Sequence, residues 1–279
     1  MSIRIEVLGS LEVNVSGVDM IPTTPKPRQL FALLALNHRK VVPTTTILEE
    51  LWGDYPPKSA LTTLQTYVLQ LRRKLAAVAG VSSRKMIATR NNGYMLALPE
   101  SRDFDLEKYG RLESRALEEF RNGRAATAIR TAQEALELWR GDALADVPRG
   151  RYLEGTAVDL DQSRLALIEC RLEAALSLGR HRESLTEFPK LITEHSYNEN
   201  LHASYMIALH RCGIRDKALN VYHQLRSSMR NELGVEPSRK MQELHRALLS
   251  ADLELDEPSV LSWSRACHRP WLRRSERHG

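Results

Sequence analysis

Ser59-Ala60-Leu61-Thr62-Thr63-Leu64-Gln65-Thr66-Tyr67-Val68-Leu69-Gln70-Leu71-Arg72-Arg73-Lys74-Leu75, running on to Ala79, is the stretch whose reading decides the fold. Leu61, Leu64, Val68, Leu71 and Leu75 recur at three- and four-residue steps, which predicts an amphipathic helix with these five in the core and Ser59 as its cap. Its other face then presents Thr62, Thr63, Gln65, Thr66, Gln70 and Arg73. Those side chains suit base edges: Gln pairs with adenine N6 and N7, Arg with guanine O6 and N7, and Thr offers a hydroxyl and a methyl. No Asp or Glu occurs between residues 58 and 90, whereas Lys58, Arg72, Arg73, Lys74, Arg84, Lys85 and Arg90 all do. An ordinary solvated face carries both signs of charge, so this run points to a polyanion.

Upstream, Pro43-Thr44 starts a short helix that carries Ile47, Leu48 and Leu51 inward and stops at Trp52-Gly53. Ahead of it, Leu30, Leu33, Leu34 and Ala35 form one face of a helix opened by Pro27 and ending near Asn37. Alternation at Ile3, Ile5, Val7 and again at Leu11, Val13, Val15, across Gly9-Ser10, predicts antiparallel strands. Downstream, Met86 to Thr89 and Tyr94 to Leu98 flank Arg90-Asn91-Asn92-Gly93, a hairpin signal. Residues 1–98 therefore read as sheet, three helices and hairpin, a winged helix-turn-helix. Arg90 is placed to reach a minor groove, with Asn91 and Asn92 donating to phosphate or sugar, although a turn that only closes the hairpin explains the asparagines equally well. Lys26 and Arg28 at the start of the first helix, which a solvated helix end explains equally well, and Lys58 ahead of the third complete the phosphate-facing set.

From Asp103 to about residue 254 the pattern is helix after helix. Gly179-Arg180-His181-Arg182-Glu183-Ser184-Leu185 recurs as Gly213-Ile214-Arg215-Asp216-Lys217-Ala218-Leu219, displaced by 34 residues, with a looser copy at Gly123-Arg124 and Ala128-Ile129. That is the period of tetratricopeptide-type helix pairs, in which the turn glycine is expected to let the helices pack closely. Ala218, Tyr222 and Leu225 have the small-then-aromatic spacing that such pairs interdigitate. Residues 258–279, rich in Ser and Arg, lack a period and read as a mobile basic tail. The fold class is thus mainly α with small β. The first 100 residues hold 12 Lys and Arg against 7 Asp and Glu, so the basic partner-binding end is the N-terminal one.

Enzymatic readings fail for want of motifs. Gly150 and Gly155 have P-loop spacing but are followed by Thr156 where a lysine is needed, and no H-E-x-x-H, G-x-S-x-G or paired-cysteine motif occurs. His202 and His210 read as packing or surface residues, and Glu49-Glu50 as solvated or ion-paired. No cofactor or metal is expected. The three cysteines fit reduced thiols, and the absence of a leader or a long apolar run predicts a cytoplasmic, nucleoid-associated protein with no membrane partner.

Lys26-Pro27-Arg28-Gln29-Leu30, Glu50-Leu51-Trp52-Gly53, Ala60 to Val68, Gln70 to Leu75, and Glu232-Leu233-Gly234-Val235-Glu236-Pro237-Ser238 together resemble the Streptomyces antibiotic regulatory protein family. The resemblance implies an OmpR-type winged helix followed by a bacterial transcriptional activation domain of tetratricopeptide-like helices. It further implies an activator of secondary-metabolite gene clusters that binds double-stranded DNA as tandem pairs on direct repeats near the −35 element and contacts RNA polymerase and its sigma factor. Carried over by position, Thr63, Gln65, Thr66 and Gln70 approach bases and Arg72 holds phosphate. The alternative is a helical-repeat adaptor whose winged helix contacts protein; the acid-free run from Lys58 to Arg90 argues against it.

Overall fold

A computed structural model describes residues 3–79, 86–99 and 102–250, which divide into two compact units: Met1–Arg111 with Glu137–Ser163, and Leu112–Leu136 with the chain from Arg164 onward. The fold is mainly helical with two small sheets, as its hydrophobic periods predict.

In the first unit, β1 (Ile3–Glu6) and β2 (Glu12–Val15) pair antiparallel with Ile3 opposite Val15 and Ile5 opposite Val13, so the alternating apolar residues share the buried face. β3 (Val18–Asp19) extends β2, and β7 (Asp103–Phe104) adds to β1 in parallel. That last strand interrupts a segment that reads as entirely helical. Helix α1 (Pro25–Leu36) opens at Pro25, two residues before the expected Pro27, and buries Leu30, Leu33, Leu34 and Ala35. Asn37 closes it, its side-chain amide donating to the Leu33 carbonyl at 2.9 Å. β4 (Val42–Pro43) leads into α2 (Thr44–Trp52), which ends at Gly53 with φ 65°. α3 (Ala60–Ala79) follows, then the wing, β5 (Ile87–Arg90) and β6 (Gly93–Leu96).

The wing turn sits on Asn91 and Asn92, both left-handed (φ 32° and 35°), in the two-residue geometry that matches strand twist. Gly93 belongs to β6 instead. A Cβ there would lie 2.5 Å from the Val42 carbonyl oxygen, so this glycine admits the neighbouring strand.

Residues 139–147 hydrogen-bond to the β1–β2 loop: the amides of Arg140 and Leu144 donate to Leu8 and Val7 at 2.8 and 2.9 Å. Trp139 meets Tyr109 edge-on at 5.5 Å, and the Tyr109 hydroxyl lies 2.9 Å from Ser163 Oγ. Acidic side chains satisfy the amides that this loop leaves over. Asp105 accepts from Val7 and Leu8 at 2.8 and 2.9 Å, and Asp146 accepts from Leu11 at 2.7 Å.

The second unit draws on α4 (Asp105–Arg121), α5 (Ala125–Leu136), α6 (Arg151–Ser177), α7 (His181–Ser184), α8 (Phe188–Glu194), α9 (Glu199–Arg211), α10 (Arg215–Ser228), a π-helical turn at Met229–Leu233 and α11 (Arg239–Ser250). α4 and α6 contribute residues to both units. Phe188, Leu201, Met206, Ala218, Tyr222, Leu225 and Met241 lie in its core. The repeat glycines 123, 179 and 213 have φ of 75°, 76° and 78°, and in each case the following amide donates to the carbonyl five residues back at 2.9–3.0 Å. Nothing lies within 4 Å of a Cβ built at any of the three. Their role is therefore the left-handed helix stop, which corrects the expectation of close helix packing. His202 is buried, its Nδ1 2.9 Å from the Asn198 carbonyl, while His210 is half-buried.

Candidate nucleic-acid interface

Helix α3 buries Ala60, Leu64, Val68, Leu71 and Leu75. Leu61, expected in that stripe, is 51% exposed, because Ala60 occupies the inward position and rotates Leu61 to the flank. Thr62, Gln65, Thr66, Gln70 and Arg73 are exposed together on the outer face, and Thr63 is half-buried at its edge. The Thr66 hydroxyl donates to the Thr62 carbonyl at 3.0 Å, an internal bond that leaves its methyl and a lone pair for a ligand. Tyr67 stacks on Trp52 at 6.3 Å and 14°, fixing α3 against α2.

The cations divide into two groups. Lys58, Arg73 and Arg90 are exposed. Lys26 and Arg28 are half-buried and engage the protein itself. Lys26 Nζ donates to the Leu51 carbonyl at the end of α2 and lies 5.7 Å over the Trp52 ring, where the negative end of a helix and an aromatic face both favour an ammonium. Arg28 bonds the Asp146 carboxylate at 2.7 Å and the Pro22 carbonyl at 3.1 Å. Arg72 joins the helix to the wing, Nε donating to the Ile87 carbonyl and Nη2 to Thr89 Oγ1, each at 2.9 Å. Lys74 donates to the Ile21 carbonyl at 2.7 Å. Arg84 and Lys85 lie outside the described residues, as do Cys267 and the basic tail.

At the wing, Asn91 and Asn92 are exposed, and the Asn92 carbonyl accepts from the amide and the hydroxyl of Thr44 at 2.9 and 2.8 Å. The wing is thereby held to the first residue of α2. Helix α3, the wing and the start of α2 thus form one hydrogen-bonded set.

The residue that periodicity misplaced is Glu50. It is 3% exposed, neither solvated nor ion-paired, and its carboxylate accepts from the amides of Gly150 (2.7 Å), Tyr152 (2.8 Å) and Leu153 (3.3 Å) at the start of α6, and from Gln29 Nε2 (3.1 Å). No local pattern separates it from its neighbour Glu49, which is exposed. Among the described residues no group of three or more His, Cys, Asp or Glu is arranged to hold a metal, and no helix is long and apolar enough to cross a membrane.

Residues 18–96 match the family described as transcriptional regulatory protein, C terminal, and residues 104–249 match the bacterial transcriptional activator domain. Regulatory protein DnrI of Streptomyces peucetius is 41% identical over 257 residues, which are 91% of this chain and 94% of that protein. Regulatory protein AfsR of Streptomyces coelicolor is 33% identical over 93% of this chain, which spans only 25% of AfsR. The solved structure of Mycobacterium tuberculosis EmbR in complex with a low affinity phosphopeptide superposes with a TM-score of 0.84 at 26% identity, covering 94% of this chain and 69% of that one.

Proposed function

We propose, from the premise that this chain belongs to the Streptomyces antibiotic regulatory protein family of transcriptional activators, that it reads a specific promoter sequence through α3 and activates a biosynthetic gene cluster for a secondary metabolite. The observation that carries this reading is the outer face of α3. Thr62, Gln65, Thr66, Gln70 and Arg73 stand exposed together on a helix whose inner stripe is buried, within a run of sequence that has no carboxylate. A helix of this kind fits a major groove, and its hydrogen-bonding groups discriminate base pairs there.

In this reading Thr63 borders the base-reading set, and Lys58 and Arg90 neutralise phosphates. Arg72 acts through the wing it holds, with Asn91 and Asn92 at the wing tip beside the sugar-phosphate backbone. Two copies bind head-to-tail on direct repeats near the −35 element, and the helical unit contacts RNA polymerase and its sigma factor. The work is recognition and recruitment, with no chemical step.

The test is selection of bound duplexes from a random DNA pool by the full-length protein, followed by affinity measurement at several salt concentrations. Direct repeats about one helical turn apart, with affinity falling steeply as salt rises, are the expected result. Recovery of no sequence above a salt-sensitive background would overturn sequence reading and favour an adaptor whose winged helix contacts protein.

A further inference from the structure

Leu69 lies at the middle of α3 and is 46% exposed. Its helical neighbours one turn away are Gln65 and Thr66 on one side and Arg72 and Arg73 on the other, and Gln70 is next in sequence; every one of them carries a hydrogen-bonding side chain. A leucine in that position can bond neither a base edge nor a phosphate. Scattered exposed leucines are ordinary on a protein surface, but this one occupies the centre of the set proposed to read bases.

Thr66, three residues before it, has its hydroxyl hydrogen committed to the Thr62 carbonyl at 3.0 Å. The pair at 66 and 69 thus offers apolar surface in the middle of a polar and cationic face. In the major groove the apolar feature that distinguishes one base pair from another is the C5-methyl of thymine. The surrounding charge favours DNA over a protein partner, since Lys58, Arg73 and Arg90 are exposed in a stretch without a single acidic residue.

We infer that Leu69, with the methyl of Thr66 beside it, is a specificity residue that recognises the methyl group of one thymine in the operator. This rests on the DNA-reading function proposed above. Gln65 and Gln70 supply hydrogen bonds on either side, and Leu69 supplies the discrimination of thymine from cytosine that hydrogen bonds alone would leave to a single acceptor.

Replacing thymine by deoxyuridine removes the methyl and leaves every hydrogen-bonding group in place, so the substitution isolates this contact. The experiment takes the duplex recovered by selection, replaces each thymine of one half-site singly by deoxyuridine, and measures the affinity of the wild-type protein, Leu69→Ala and Gln70→Ala. One position is expected to cost the wild type about three- to five-fold, the value of one buried methyl, to cost Gln70→Ala the same, and to cost Leu69→Ala nothing. Far-ultraviolet circular dichroism and a thermal melt establish that Leu69→Ala folds as the wild type does. If the wild type binds every deoxyuridine duplex as tightly as its parent, or if Leu69→Ala retains the full penalty, the inference is overturned while DNA recognition stands. If no duplex is bound above scrambled DNA, the function itself fails and the inference with it.

Discussion

Glu50 and Gly150 touch across 100 residues of sequence: Glu50 Oε1 accepts the Gly150 amide at 2.7 Å, and a Cβ at position 150 would fall 2.2 Å from the Glu50 carbonyl oxygen. The amides of Tyr152 and Leu153, among the donors that the first turn of any helix leaves without an internal partner, converge on the other carboxylate oxygen. A buried anion at this positive helix end is favoured by the aligned peptide dipoles. Helix α2 of the winged helix and the first turn of α6 are therefore joined through a single side chain.

Glu50→Ala strands these donors in a buried site. Its expected cost is about 2–3 kcal/mol of unfolding free energy, measured by urea denaturation of the full-length chain. Glu49→Ala, at the exposed neighbour, should lie within about 0.5 kcal/mol of wild type. Equal effects of the two would show that the contact carries no stability.

Gly150→Ala tests the same junction from the opposite side. The obstructing atom is a backbone carbonyl oxygen, which no rotamer change can move, so the first turn of α6 must shift away from Glu50. The expected loss is about 2 kcal/mol or more. It should be smaller in a Glu50→Ala background, because part of what the shift breaks is already absent. Gly155→Ala, where a Cβ meets nothing within 4 Å, should be stabilising or neutral.

Asp105 supplies a pH dependence. Burial pushes its carboxyl up from 3.8 to about 6, and the amides of Leu8, Val7 and Leu106 hold it back from rising further. The folded chain thus binds this proton more tightly than the unfolded chain. The group's contribution to stability is fully present below 3.8 and is lost as pH rises through about 6. Unfolding free energy of wild type relative to Asp105→Asn should fall by up to about 3 kcal/mol between about pH 4 and pH 7. A flat difference across that interval would contradict the raised value.

On DNA, Gln70→Ala should relax specificity at one base pair at a cost of about 1–3 kcal/mol and leave binding to other sequences unchanged. Arg72→Ala should weaken all duplexes alike and also lower the thermal midpoint, since its guanidinium holds Ile87 and Thr89 of the wing. Binding measured on cognate and single-substituted operators, beside a melt of each variant, separates the two roles. Sequence-independent loss for both variants would remove Gln70 from the base-reading set.

Asn92→Ala places a Cβ-bearing side chain without local hydrogen-bonding capacity at φ 35°, with an expected cost of about 1 kcal/mol, whereas Asn92→Gly should be nearly neutral. Thermal midpoints of the two variants decide it. Similar losses in both would place the contribution of Asn92 in its side chain and not in the turn.

Much of this fold is written in short-range signals. The helix over 60–79 follows from apolar residues three and four apart, the wing from Asn91-Asn92-Gly93 between β-prone runs, and the repeated helix stops from glycines 123, 179 and 213. Each depends on residues close in the chain, whose backbone preferences and periodicity act before any tertiary contact forms. The exposed face of α3 was legible for the same reason, apart from Leu61, whose place depended on how far the helix rotates against its neighbours. What tertiary structure alone decided is where the charges went. Glu50, Asp105, Asp146 and Arg28 find partners 97–135 residues away, and in sequence they are indistinguishable from solvated side chains. A buried carboxylate is tolerated only where amide donors converge on it, and that convergence exists only once the start of α4 has packed on the β1–β2 loop and the start of α6 on α2.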